Sequence, residues 1–349
     1  MTIEVPALRL GLAGYTEAQQ KAAAEAAMAA SGARASWQLG SFAESDAWWL
    51  EGSRTMLMPN QHLRVQPAVP TGRSVQLALA DVDRPVAFSL PMAAPGFQPA
   101  ITFELADKAA ATKVLHRFAD LMQAMLSQFA LASSLAEQQP MLNSGSWEVL
   151  RDKDLLAVVD LRLGAGVMPG VTPADFEQAS WCVRNHGAVV IPANYPRLSV
   201  SQLMWQYAQR TERDLLPPHY RTQKLYFRRP PRLPQRQLRD AHLLLMRELA
   251  EQPGMDFPAL QQSTGLGEAQ LARCLSALYA VGSITSNPKR ATASAGPRLS
   301  GNASQAPTSD QSQFNYSMLN ATRPPEIRRQ QLDKTAPAPL LPEFYPRSA

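Results

Sequence analysis

Leu8-Arg9-Leu10-Gly11-Leu12-Ala13-Gly14-Tyr15-Thr16-Glu17-Ala18-Gln19 is the stretch on which the fold class turns. Residues 8–13 form an apolar run of strand length, and Gly14 breaks it. Thr16-x-x-Gln19 then has the spacing of a helix capping box, in which each side chain satisfies an orphan backbone N–H. Alanine-rich sequence continues to Ala30 and stops at Gly32, as a strong helix former ended by glycine does. A strand delivered straight into a helix is the elementary step of an α/β fold.

The alternation continues outward from that step. Strands are expected over 36–39, 55–58, 75–80 and 86–90, punctuated by Pro59, Gly72 and Pro91, with a short helix over 44–51 that ends at Gly52. One long helix is expected from Ala109 to Glu137, with Val114, Phe118, Leu121, Met125 and Phe129 spaced for one buried face. These elements make a first α/β domain over 1–140. A second α/β (α+β) domain is expected over 145–215. There, 146–150 and 155–161 flank the polar turn Arg151-Asp152-Lys153-Asp154 as a hairpin. Thr172-Pro173-Ala174-Asp175 starts a helix, 188–191 reads as a buried strand stopped by Pro192, and Ser199-x-x-Gln202 caps a helix striped by Val200, Leu203, Met204, Tyr207 and Ala208.

Residues 238–290 carry the clearest helical pattern. Helices are expected over 238–252, with Leu244, Leu245 and Leu249 inward, and over 257–263. After the turn Gly265-Leu266-Gly267, a third helix over 268–281 presents Leu271, Cys274, Leu275 and Leu278, and a short strand follows Gly282. Three helices, a tight turn before the third and a strand after it resemble a winged helix-turn-helix. The resemblance implies a DNA-binding or protein-docking module. Its candidate DNA contacts are Gln270 and Arg273 on the third helix with Lys289 and Arg290 beyond the strand. The outward face (Glu268, Gln270, Arg273, Ala277, Ala280) balances one cation with one anion, which neutralises little phosphate and favours protein docking.

Length and charge bound the rest. At 349 residues, a prior of about 150 per domain suggests two or three domains. The net charge of +5 is concentrated: residues 210–239 hold 9 basic and 2 acidic side chains, whereas 1–209 hold 15 and 18. Residues 216–237 read as a basic Pro/Arg linker whose Arg221, Lys224, Arg228, Arg229, Arg232 and Arg236 either contact a polyanion or clamp one domain to another. Arg228 and Arg232, or Arg232 and Arg236, also have the RxxxR spacing of cyclic-dinucleotide receptors of the PilZ type, without the companion motif. Residues 291–349 are polar with eight prolines and no apolar period, so a disordered tail is expected, its stretches 326–333 and 340–345 being candidate docking motifs. Two distant cysteines, no leader-like apolar stretch and no run of about 18 apolar residues suit a cytoplasmic protein without membrane contact.

Motifs that carry chemistry are missing. The chain has no GxxxxGK[ST], HExxH, GxSxG or EF-hand pattern, and Gly11-x-x-Gly14 lacks the glycines of a dinucleotide turn. Ser286-x-x-Lys289 stands without companions. Cys182 and His186 have no second ligand pair, the other histidines (His62, His116, His219, His242) are scattered, and Asp152, Asp154 and Asp160 suit a solvated hairpin. No catalytic residue, metal site or cofactor is expected.

The element order of the first domain resembles a receiver domain of bacterial two-component signalling. That family places acidic residues after its first strand and a phosphoacceptor Asp after its third. This chain has Gly14-Tyr15-Thr16 at the first position and, with 55–58 as third strand, Pro59-Asn60 at the second. The resemblance therefore implies a pseudo-receiver that accepts no phosphoryl group, although other α/β folds fit the order too. The expected function is that of a non-enzymatic regulatory or signalling protein acting through protein partners. The alternatives are a DNA-binding transcriptional regulator using the winged helix and a receptor for a nucleotide second messenger using the arginine-rich segment.

Overall fold

The computed structural model describes residues 4–94, 96–138, 145–184, 190–234 and 237–291. Its first unit comprises β1 (Ala7–Ala13), α1 (Glu17–Ala30), β2 (Ser36–Gly40), β3 (Ala47–Glu51), β4 (Thr55–Leu57), β5 (His62–Val65), β6 (Val75–Ala78), β7 (Val86–Ser89), β8 (Thr102–Phe103) and α2 (Lys108–Leu121). A parallel sheet runs β2-β1-β3-β7-β8, and an antiparallel meander runs β4-β5-β6. The Thr16–Gln19 capping box forms as its spacing predicts. Side chains alternate across β3, so Trp49 faces α1 and α2 while Trp48 and Leu50 face the meander. Doubly wound sheets carry helices on both faces. Here α1 and α2 share one face, and β5 with Phe97 supplies the other layer.

Two expectations for this unit are corrected. The helix expected over 44–51 is the central strand β3, preceded by a single 3₁₀ turn, Phe42–Glu44. A strand buried on both faces has no period of two, and Ala47-Trp48-Trp49-Leu50 is such an unbroken apolar run. Consequently residues 55–58 fall in the meander rather than the parallel sheet. The third parallel strand ends on Glu51, a buried carboxylate that accepts a 2.5 Å hydrogen bond from Ser53, and not before Pro59-Asn60. The single helix expected from 109 to 137 breaks at Met122, where the backbone turns to φ −98°, ψ 13°.

Beyond the break, α3 (Gln123–Gln138) enters a second unit with β9 (Ser146–Arg151), β10 (Asp154–Asp160), β11 (Gly164–Val167), α4 (Pro173–Glu177), β12 (Ser180–Val183), β13 (Arg197–Leu198) and α5 (Val200–Arg210). Its antiparallel sheet runs β12-β9-β10-β11-β13. The 151–154 hairpin turn forms, with Asp152 at φ 56°. Of the strand expected over 188–191, residues 188 and 189 lie outside the described residues, as does His186. Leu203 and Tyr207 of α5 pack on this sheet with Phe129 and Leu131 of α3.

The opposite face of α5, Trp205 and Ala208, belongs to a third core built from α6 (His219–Thr222), β14 (Tyr226–Phe227), α7 (Asp240–Glu251), α8 (Phe257–Thr264), α9 (Glu268–Ala280) and β15 (Ile284–Thr285). Gly265, in the turn expected before the third helix, ends α8 in the left-handed conformation. The segment expected as a linker is part of this unit, because Leu216, Tyr220 and Leu225 are buried among α7–α9. The partner of β15 is the upstream strand β14. Downstream of β15 the described chain turns through the 3₁₀ segment Pro288–Arg290 instead of pairing. The three helices and one short two-stranded ribbon form, and among the described residues no second strand follows β15. Of the expected tail, residues 292–349 lie outside the described residues. No described helix is long and apolar enough to cross a membrane.

Candidate functional site

Charged side chains that the sequence scatters over two hundred positions converge where the first unit meets α5, α7 and α9. Asp46 lies just before β3 with its side chain only 3 % exposed. One carboxylate oxygen accepts from the Arg9 amide at 2.9 Å, and the other accepts from Arg210 Nη2 and Nε at 2.8 and 3.1 Å. Burial by itself would raise this carboxyl, but Arg210, Arg239, the Arg9 amide and the Arg9 guanidinium outweigh burial and hold it below the usual carboxylate range.

Further polar contacts cross the same junction. Arg9 Nη1 donates to the Gln209 carbonyl at 2.9 Å, Arg239 Nη1 to the Ala43 carbonyl at 3.2 Å, and Gln270 Nε2 to Glu44 at 2.5 Å. Arg84 donates to Asp83 and the Ser45 carbonyl while its guanidinium lies 4.5 Å over the Trp48 ring. At the same C-terminal end of α5, Glu4 accepts from Tyr207 at 2.8 Å, Arg213 at 3.1 Å and Ser133 at 3.2 Å, and also from Thr211.

A cleft of about 130 Å³ opens between these groups. Its lining includes Arg84, Arg210 and Arg239, the apolar Met122, Met125 and Trp205, and the amides Gln206 and Gln237. Burial, reinforced by Arg84 and Arg210, lowers Arg239 to about 10 against the opposing pull of Asp46. Behind the cleft, His242 accepts from the Arg239 amide at 3.3 Å, packs 4.5 Å from the Trp205 ring and leaves Nε2 without a partner. Burial and then Arg239 lower it to about 4.

The residues singled out from sequence divide between this junction and a separate ribbon. Gln270 bonds Glu44 at the junction, and Arg273 lies close enough to lower the Arg9 guanidinium, an effect second to burial. Both therefore face the first unit. Arg221 bridges Asp214 at 2.8 Å and Glu268 at 3.4 Å and covers the Phe257 ring. Lys224, Arg228, Arg229, Lys289 and Arg290 are exposed on or beside the β14–β15 ribbon, and Arg232 is exposed just beyond it. The guanidiniums of Arg228 and Arg229 stand over Gly282, at the end of α9 where helix carbonyls favour cations. Arg236 lies outside the described residues.

Arg9, Asp46, Arg84, Arg210 and Arg239 were not singled out. The basic excess of 210–239 contains Arg210 and Arg239 at its two ends, and the lone cation inside the apolar run Leu8-Arg9-Leu10 was the other available signal. Among the described residues, no group of three or more His, Cys, Asp or Glu could hold a metal ion. Comparison with family models, with curated proteins and with solved structures yields no match.

Proposed function

We propose that this protein is a non-enzymatic regulatory protein that acts through a protein partner, with the junction between its first unit and α5–α9 as the element whose state is read. The observation that supports this is the character of the junction. It is held by Asp46–Arg210, Gln270–Glu44 and two arginine-to-carbonyl bonds rather than by a continuous apolar core. Polar interfaces between units of one chain resemble transient protein–protein contacts and are the ones that open. Opening would free the α9 surface bearing Gln270 and Arg273, the face by which a helical docking module of this kind meets a partner.

The test compares wild type with Arg9→Ala/Arg210→Ala in crosslinked affinity capture from native cells. The expected result is a stoichiometric partner whose recovery changes several-fold when the junction is loosened. Equal recovery from both, or nothing above a tag-only control, counts against the proposal. A DNA reading rests on a different observation, the exposed cations Lys224, Arg228, Arg229, Lys289 and Arg290 along one ribbon. It requires duplex binding at roughly 150 mM salt that falls steeply with added salt and disappears when these five are neutralised.

A further inference from the structure

We infer that the cleft between Arg84, Arg210 and Arg239 is a binding site for a small phosphate ester, its phosphoryl group on the arginines and its hydroxyl or amino groups on Gln206 and Gln237. Three guanidiniums line the cleft against two carboxylates. Asp46 is engaged with Arg210, and Asp83 with Arg84. Among the described residues, the Arg239 guanidinium has no carboxylate within ion-pair distance and a single hydrogen bond, to the Ala43 carbonyl, although it is largely buried. A buried cation short of a counter-charge is costly, and an anion placed between Arg84, Arg210 and Arg239 relieves it. Guanidinium forks match phosphoryl oxygens two at a time.

The glutamines make the ligand more than an inorganic anion. Gln206 is 91 % buried, and its amide oxygen, like that of Gln237, is fully buried with no donor. Two acceptors on residues that line the cleft call for two donors; the hydrogen phosphate dianion carries a single P–OH, whereas a sugar or nucleoside phosphate brings several hydroxyl or amino donors. Met122, Met125 and Trp205 supply the apolar wall against which such a body would lie. The volume of about 130 Å³ equals the liquid share of about four waters, enough for a phosphoryl head and its ester linkage with the remainder at the mouth.

The site stands apart from the regulatory proposal. Binding is read directly on the full chain, so failure of either leaves the other standing. The probes are inorganic phosphate, glucose 6-phosphate and AMP, each against sodium chloride of matched ionic strength. The readout is tryptophan emission, since Trp205 lines the cleft and Trp48 lies under Arg84. Saturable change is expected, with at least one ester about tenfold tighter than phosphate, the worth of one or two hydrogen bonds. Arg239→Gln should weaken ester binding at least tenfold. Arg84→Gln, at the partly exposed edge, provides the same test if Arg239→Gln fails to fold. Asp46→Asn should tighten binding severalfold, because the ligand then replaces the missing counter-charge, a gain that misfolding does not produce. Three results overturn the inference: no saturable change with any probe, arginine variants that bind like wild type, or phosphate binding as tightly as both esters.

Discussion

Replacing Asp46 by Asn removes one charge from the junction and almost no volume, so its cost reports the electrostatics that hold the units together. Asp46 and Arg210 are 3 % and 14 % exposed, so solvent screens the pair little. Removing one partner of a buried pair costs about 3–5 kcal/mol, mostly from the charge left behind. Asn keeps one acceptor for the Arg9 amide or Arg210, which places the expected loss near the lower end, about 3 kcal/mol. At about 2–4 °C per kcal/mol for a chain of this size, the thermal midpoint should fall by roughly 6–12 °C. Urea unfolding followed by tryptophan emission measures the loss, and a double-mutant cycle with Arg210→Met should return a coupling of about 2 kcal/mol.

The same carboxylate sets a pH signature. Its folded value lies below that of the unfolded chain, so its contribution is complete above about pH 4 and is lost as pH falls through the folded value. The gap between wild type and Asp46→Asn should therefore hold constant from pH 5 to 8 and close below about pH 4. A loss under about 1 kcal/mol, or a gap that persists unchanged in strong acid, would refute the assignment of Asp46 as the junction's counter-charge.

Three further outcomes are expected. His242 is held at about 4 from an ordinary 6.5, so its neutral form stabilises the fold fully above pH 6.5, and about 3 kcal/mol is lost as pH falls from 6.5 toward 4. His242→Asn, which can still accept from the Arg239 amide, should flatten the pH–stability curve in that window, and an unchanged slope would exclude His242 as its source. Glu4→Ala strands the donors of Tyr207, Ser133, Thr211 and Arg213 and should cost about 2–4 kcal/mol in urea unfolding, tempered by the 38 % exposure of Arg213. Thiol titration of the native chain should consume one fast equivalent at the exposed Cys182, with Cys274 protected by burial, which pushes its thiol to about 12; two fast equivalents would contradict the packing of α9.

Local signals were legible in the sequence, and long-range ones were not. The capping box at Thr16, the helix starts at Thr172 and Ser199 and the turn at Gly265 are written in residues three or four apart, and each formed where the sequence placed it. The strand β3 was obscured because burial on both faces erases alternation, so Ala47-Trp48-Trp49-Leu50 carries no period to distinguish strand from helix. Of the stripe from Val114 to Phe129, Val114, Phe118, Met125 and Phe129 are buried as expected, while Leu121, at the break, is 43 % exposed. A break such as that at Met122 leaves the spacing intact while redirecting the chain from the first core to the second.

The junction was hidden for a stronger reason. Asp46 and Arg210 are 164 positions apart, Glu44 and Gln270 226, and Arg9 and Gln209 200, so no window of sequence contains both partners. Composition nonetheless left a trace. An excess of seven positive charges over 210–239 beside a deficit of three over 1–209 is what a charge-matched contact between those regions requires. The match is made at the ends of the basic segment, by Arg210 and Arg239, because its middle carries Leu216, Tyr220 and Leu225 into the third core and is thereby held away from Asp46. Of the described arginines between them, Arg213 pairs with Glu4 and Glu137, Arg221 with Asp214 and Glu268, and Arg228 and Arg229 stand at the end of α9, while Arg210 and Arg239 meet the first unit. One stretch of basic sequence thus supplies two surfaces, and the one at the junction encloses a cleft.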